Sequence, residues 1–235
     1  MQENLHNIGK HDKIKGSVTT SFYFAMKYII HAHSSRMWYV DGYLVPKLKE
    51  QGINPVIYED KGGEGNLYAT MSSFIDAGDA WHLQDDVIIC HDFAERTKDP
   101  DTITCGFCRL RDSIPDRSGR RGVNEMWFSF PCIYIPGEIA RECALWFYTE
   151  EITDIHLKRL KELRKGDDSF FMAFLWEKYP NLEVVNVKPN LVDHIDYMIG
   201  GSIANQRALR MDIGSLAAFY EDDKEDLMLW LQNHA

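Results

Sequence analysis

The stretch Trp81-His82-Leu83-Gln84-Asp85-Asp86-Val87 is a short apolar run that ends in two adjacent carboxylates, and its place in the chain decides the fold. Upstream, Tyr28-Ile29-Ile30-His31-Ala32 is a compact apolar strand. A helical pattern follows from Met37 to Gln51, with apolar positions three and four apart, and Gly52 stops it. Pro55 to Tyr58 reads as a second strand ending at Glu59-Asp60, and Asn66 to Ala77 as a second helix stopped by Gly78. Trp81 to Gln84 then forms the third strand. Strand and helix alternating three times predict an α/β domain with a mixed, mainly parallel sheet flanked by helices and right-handed crossovers. In open sheets of this kind ligands bind beyond the carboxyl ends of the strands. Ser34-Ser35-Arg36, Glu59-Asp60 and Asp85-Asp86 all fall at such ends. Two neighbouring carboxylates repel and require a shared proton or a cation, and hard cations such as Mg²⁺ or Mn²⁺ favour oxygen ligands.

The second half is less regular. Thr102 to Phe107 and Met126 to Ile135 read as strands, and 113–122 as a charged loop. Pro136 opens a helix running to Tyr148, with a further charged helix from Asp154 to Lys165. Gly166-Asp167-Asp168-Ser169 introduces the helical stretch Phe170 to Tyr179, Glu183 to Val187 is a strand, and Ser215 to Asn233 an acidic amphipathic helix. Residues 1–16 read as a partly disordered lead-in and 17–235 as a single domain. The lead-in has no apolar core and is not read as a secretory signal, and no apolar run reaches the roughly 18 residues of a membrane span. The expected location is the cytoplasm. Five cysteines, an odd number, are expected as reduced thiols.

A net charge of −10 argues against non-specific binding along a nucleic-acid backbone, although Arg109, Arg111, Arg117, Arg120 and Arg121 form a local basic cluster. Cys105-Gly106-Phe107-Cys108 is a CxxC without a second pair to build a zinc site. His31 and His33 share a strand face and could form a metal pair. The glycines at 62, 63 and 65 match neither the dinucleotide nor the Walker spacing.

The order Gln84-Asp85-Asp86 after a strand, Gly166-Asp167-Asp168 opening a helix and Val192-Asp193-His194 near the end resembles GT-A fold glycosyltransferases, in particular small glycosyltransferase-like proteins of phages and prophages. The resemblance covers roughly residues 24 to 210 and rests on short motifs in order. It departs from the usual acidic motif at Gln84, which stands where a first carboxylate is expected. It implies that Asp86 binds Mn²⁺ or Mg²⁺, that Asp85 meets the metal or the donor ribose, and that His194 completes the metal shell. It also implies that Asp167 or Asp168 faces the acceptor as general base, with inversion at the anomeric carbon. Ser35, Arg36, Asp60 and Gln84 would line the donor pocket, the arginine suited to a phosphate through its planar fork. Gly200-Gly201-Ser202 would be a hinge bringing Arg207 and Arg210 to the diphosphate. Trp127, Phe128, Phe130 and Trp146 are either an acceptor platform or core, and core is the expectation. The donor expected is a nucleotide-sugar, UDP-linked, and the acceptor a glycan, a protein or a modified nucleobase. A glycosyltransferase acting on a modified DNA base and a nucleotide-diphosphate-binding module without turnover are the alternatives.

Overall fold

The computed structural model describes residues 26–60, 66–107, 119–125, 130–149, 167–199 and 221–234. Strand β1 (Lys27–His33) is followed by a continuous helical segment. It is wound 3-10 at Ser34–Arg36, α at Met37–Tyr39 (α1), π at Val40–Leu44 and α again at Val45–Glu50 (α2). Then come β2 (Val56–Asp60), α3 (Asn66–Asp76), β3 (Ala80–Gln84), β4 (Val87–Ile89), α4 (Phe93–Arg96), β5 (Thr104–Cys105), β6 (Gly119–Gly122) and β7 (Cys132–Ile135). The order closes with α5 (Gly137–Thr149), α6 (Asp167–Lys178), β8 (Glu183–Asn186), β9 (Val192–His194), α7 (Asp196–Ile199) and α8 (Glu221–His234).

Among the described residues one sheet has the order β2-β1-β3-β7-β5-β8-β6, and β4 pairs with β9 in a second, two-stranded sheet. Strands β1, β2, β3, β5 and β8 run in one direction and β6 and β7 in the other. The sheet is therefore mixed and mainly parallel. β1 leads to β2 on one side of itself and the chain returns through α3 to β3 on the other. This reversal places the switch point of the sheet at the carboxyl ends of β1 and β3, where a crevice opens in such topologies.

The period of two in the strands sorts the core onto two faces. Tyr28, Ile30, Ala32, Trp81, Leu83, Cys132 and Tyr134 enter one apolar cluster, while Ile133 and Ile135 enter the other with α3, α5 and α6. The register pairs Trp81 with Tyr134, whose rings lie 5.7 Å apart. Helix α8 adds Leu227 and Leu231 to the first cluster, and its Trp230 stacks on Trp38. A side chain at Gly42 would meet Trp230 at 2.8 Å, so the glycine lets α8 dock there.

Three expectations are corrected. The strand expected at 102–107 is confined to Thr104–Cys105. Gly119–Gly122 lies in the segment read as a loop but is an edge strand paired with β8. Within the described residues the aromatic strand before Pro136 begins at Cys132. The terminal helix is described from Glu221 to His234, in line with the expectation, and 215–220 lie outside the described residues. The helix expected at 154–165 and the lead-in lie outside the described residues.

One junction depends on a bare backbone. The amide of Gly137 at the start of α5 donates to Asp79 Oδ1 at 2.7 Å, and a Cβ there would sit 2.4 Å from the carbonyl carbon of Gly78 and 2.6 Å from its Cα. Both obstacles are backbone, so neither can rotate away. Gly137→Ala is expected to cost roughly 1–3 kcal/mol or more through overpacking, read as a lower urea midpoint at unchanged slope. An unchanged midpoint would show that the α5–β3 junction yields freely.

Candidate functional site

The carboxyl ends of β1 and β3 carry the densest set of buried charges in the described chain. Asp85 and Asp86 occupy the turn between β3 and β4 and are 4% and 5% exposed. Arg36, the last residue of the 3-10 turn after β1, is 9% exposed. Its Nη1 lies 2.6 Å from Asp85 Oδ1 and 2.6 Å from Asp86 Oδ2. The backbone N–H of His33 donates to Asp85 Oδ2 at 2.6 Å. His194 Nε2 is 3.1 Å from Asp86 Oδ2. The pairing of β4 with β9 sets this contact, because it puts His194 opposite Val87, and the Ile195 amide donates to the Asp86 carbonyl at 2.8 Å. Arg96 holds the approach to β9 through the carbonyls of Pro189 and Asn190.

The electrostatics follow from one cation shared by two carboxylates. Burial works against the Arg36 charge, but Asp86 and Asp85 outweigh it and hold the guanidinium above its ordinary pKa. Burial also opposes the Asp86 charge. The His194 contact and Arg36 overcome it, so Asp86 lies below the usual carboxylate range. Asp85 is raised, first by burial and then by the Asp86 charge beside it. The two carboxylates and the one guanidinium together carry a formal charge of −1, leaving His194 aside. Asp86 Oδ1 and Arg36 Nε are buried and have no hydrogen-bond partner among the described residues.

A second buried polar chain lies on the α3–α6 face of the same strands. Thr70 gives its hydroxyl proton to Asp167 Oδ2 at 3.0 Å, so its oxygen accepts from His31 Nδ1–H at 3.2 Å. That fixes His31 Nε2 as the acceptor for His82 Nδ1–H at 3.0 Å. Burial lowers the His31 pKa to about 4; burial, and then His31, push His82 well down. Both rings are therefore neutral, as the hydrogen-bond chain requires. Asp167, in the first turn of α6, is raised to about 6 by burial and by Asp168, against the opposing Thr70 bond. Asp168 is half-buried, its N–H donates to Asp167 Oδ1, and its own Oδ1 accepts from the Ser169 amide.

The structure brings Arg36, Asp85, Asp86 and His194 together. Gln84 is half-buried and pairs in register with His31. Asp60 ends β2 opposite His33, and Ser35 is exposed with its hydroxyl on His33 Nδ1. Arg36, expected in the donor pocket, bonds both members of the acidic pair, because two buried carboxylates attract the cation within their reach. His31 and His33 form no metal pair with each other; His31 turns to His82 and Thr70, and His33 caps the following turn. Phe130 and Trp146 belong to the core. Cys105 is a buried thiol in β5. Arg120 pairs with Asp101 and Glu183 of its own chain. Arg207, Arg210, Gly200 to Ser202, Trp127, Phe128, Cys108, the glycines at 62, 63 and 65, and Arg109, Arg111 and Arg117 lie outside the described residues.

Sequence reasoning missed the chain Asp167–Thr70–His31–His82. The available signal was a histidine at the same inward parity in each of two neighbouring apolar strands, since a buried polar residue is the informative exception.

No protein-family model matches the chain, and no curated protein sequence does. Among solved structures it is similar to the glycosyltransferase GlyE of Streptococcus pneumoniae TIGR4, with 10% identity and a TM-score of 0.40 over 70% of this chain. This chain spans less than half of that one, 46%. It is also similar to the inositol-1-phosphate CTP transferase of T. maritima, at 12% identity and a TM-score of 0.41, covering 83% of this chain and 98% of that one. A glycosyltransferase involved in glycosylation of the major capsid of PBCV-1 matches at 10% identity and a TM-score of 0.41, covering 78% and 98%. These neighbours are glycosyl- and nucleotidyltransferases by their descriptions. The likeness is one of chain path, and the functional reading below rests on this chain's own residues. No helix among the described residues is long and apolar enough to cross a membrane.

Proposed function

We propose that this chain is a glycosyltransferase that takes a nucleotide-sugar, UDP-linked, and transfers the sugar to an acceptor hydroxyl with inversion. One observation carries the reading: Asp85 and Asp86 stand with Arg36 and His194 at the switch point between β1 and β3, with a buried carboxylate oxygen, Asp86 Oδ1, that has no hydrogen-bond partner among the described residues. Two carboxylates and an imidazole suit Mn²⁺, and Mg²⁺ less well because of the nitrogen. As arranged, the described residues hold no group of three or more His, Cys, Asp or Glu side chains able to bind a metal ion, and Arg36 bridges the acidic pair, so the ion is proposed from the chemistry of these residues alone. Asp86 and His194 would hold the ion, with Asp85 beside them. When bound it would supply Lewis-acid stabilisation of the leaving diphosphate.

The chain's own residues do the rest. The 3-10 turn Ser34–Arg36 and the end of β2 at Asp60 frame the nucleoside side of the crevice, with Gln84 between them. Asp167, raised to about 6, is poised near neutrality as a base should be and takes the acceptor proton, with the half-buried Asp168 beside it. Direct attack by the activated hydroxyl displaces the nucleotide from the opposite face, which is why the product inverts. An acceptor on DNA sits poorly with the net charge of −10.

Calorimetric titration with UDP, GDP, CMP and dTDP, with and without Mn²⁺, tests the reading. One nucleotide is expected to bind, and to bind more tightly with Mn²⁺. Asp86→Asn keeps the side-chain shape while removing its charge, and should weaken that binding by about 10–100-fold. Absence of binding by every nucleotide in both conditions would overturn the proposal.

A further inference from the structure

The buried polar chain on the α3–α6 face takes the place of apolar packing, and every bond in it points the same way. His31, His82, Thr70 and Asp167 are all buried, and polar groups at that depth are costly unless their hydrogen bonds are made. His82 Nδ1–H donates to His31 Nε2, His31 Nδ1–H to the Thr70 hydroxyl oxygen, and the Thr70 hydroxyl to Asp167 Oδ2, at 3.0, 3.2 and 3.0 Å. Ser73 does not divert it, because its own proton goes to the Thr70 carbonyl at 2.7 Å. The far end is closed. His82 Nε2 is buried without a hydrogen-bond partner among the described residues, and the ring packs against Phe74 with 4.9 Å between centroids. A chain that starts in apolar core and ends on a carboxylate has nowhere to pass a proton on; it can only hold the carboxylate.

We propose that Thr70 and His31 are positioning residues for Asp167: His31 fixes the direction of the Thr70 hydroxyl, and that hydroxyl fixes the carboxylate. The role rests on the transferase reading, in which Asp167 is the general base, whereas the chain of bonds stands on geometry alone. Thr70 has one proton to give. Its rivals to Asp167 Oδ2 are a bare His31 Nδ1 and the carbonyl one turn back on α3, to which a helical threonine can return its proton. By presenting N–H at Nδ1, His31 removes the first rival and polarises the hydroxyl toward the carboxylate. His82 keeps His31 in that tautomer, since a proton on His31 Nε2 would meet the His82 Nδ1–H head on. Burial holds both rings neutral. Asp168, on the same helix, is the charged neighbour of Asp167. Thr70 and Ser73 on α3 are uncharged, and on α5 the Cys143 thiol, against Met71, is held neutral by burial. Asp167 Oδ1 accepts the Asp168 N–H at 3.0 Å, so one oxygen is tied to α6 and the other to α3. Two such ties set the plane of the carboxylate, and a general base works only when it is held within reach of the proton it takes.

The test is the titration of Asp167 in the full chain, read by carbon NMR of aspartate labelled at the carboxyl carbon and assigned by the signal lost in Asp167→Asn. Thr70→Val keeps the side-chain shape without the hydroxyl. The Asp167 midpoint, about 6 in the parent chain, should then rise by roughly one pH unit or more, because the ionised form loses a donor. Thr70→Ser restores the hydroxyl and should return the midpoint to the parent value, a rescue that packing alone would not give. His31→Leu leaves the hydroxyl without its direction and should raise the midpoint by less than Thr70→Val does. A midpoint unmoved in Thr70→Val or in His31→Leu overturns the proposal. Should either variant not fold, the parent chain decides: nitrogen NMR of labelled histidine is expected to show His31 and His82 both protonated at Nδ1, and a proton on His31 Nε2 overturns the proposal. The titration needs neither nucleotide nor acceptor, so the two readings fail separately. An unmoved midpoint defeats the positioning chain, whereas absence of nucleotide binding defeats the transferase assignment.

Discussion

Arg36→Met is expected to destabilise the protein by about 3–5 kcal/mol near neutral pH, the scale seen when one partner of a buried ion pair is removed. Methionine fills much of the same volume, so the loss measures charge more than packing. What remains is two adjacent carboxylates at 4% and 5% exposure, with a backbone N–H on one and the His194 ring on the other. The pH dependence identifies the cause. In the parent chain Asp86 lies below the usual carboxylate range, so its contribution is full above that range and fades as pH falls through its lowered value. Without Arg36 both carboxyls move up, and the folded variant takes up protons before the unfolded chain does. The gap between parent and variant should therefore narrow as the pH is brought down to about 4, where the unfolded carboxyls titrate. Urea denaturation across that interval measures it. A gap that stays constant would mean that packing, not charge, holds Arg36 in place.

The parts of this site that were legible in the sequence are those fixed by local pattern. The apolar run at 28–32 and the one at 81–84 are strands within a residue or two, and Gly52 and Gly78 end their helical segments with φ of 78° and 65°, which glycine adopts without strain. Strand ends follow from strands, so the placing of Arg36, Asp85 and Asp86 at one edge was implied by the alternation alone. Pairings between distant segments left no local trace. β4 and β9 are three residues each, too short for a period of two to register, yet their register places His194 on Asp86. Strand β6 reads Gly-Arg-Arg-Gly, which looks like a loop because a charged edge strand is built to repel further strands. The bond between His31 and His82 spans fifty-one positions, and no window along the chain contains both. The sequence suggests a phosphate for Arg36 for a related reason: its neighbours in space, Asp85 and Asp86, lie 49 and 50 positions away.

Asp167→Asn should make the fold more stable above about pH 6 and stop sugar transfer. The parent carboxyl is raised from 3.8 to about 6, with burial as the main cause. For an acid raised on folding, the folded state holds its proton longer than the unfolded chain. Stability therefore falls as pH rises from about 4 to about 6, and the deficit persists above that, on the order of 2–3 kcal/mol for such a shift. Asparagine can still accept the Thr70 hydroxyl through its own oxygen and brings no charge to bury, so the variant lacks the deficit and its stability should not fall over that interval from this group. Denaturation of both proteins from about pH 4 to about pH 8 checks the sign: curves that run parallel would show that Asp167 is not held against its ionisation. Nucleotide binding, proposed for the Arg36–Asp86 end of the crevice, should survive the substitution while transfer does not. The proposed role as general base accounts for a carboxylate that the fold would be more stable without, since a purely structural cap would be served as well by the amide.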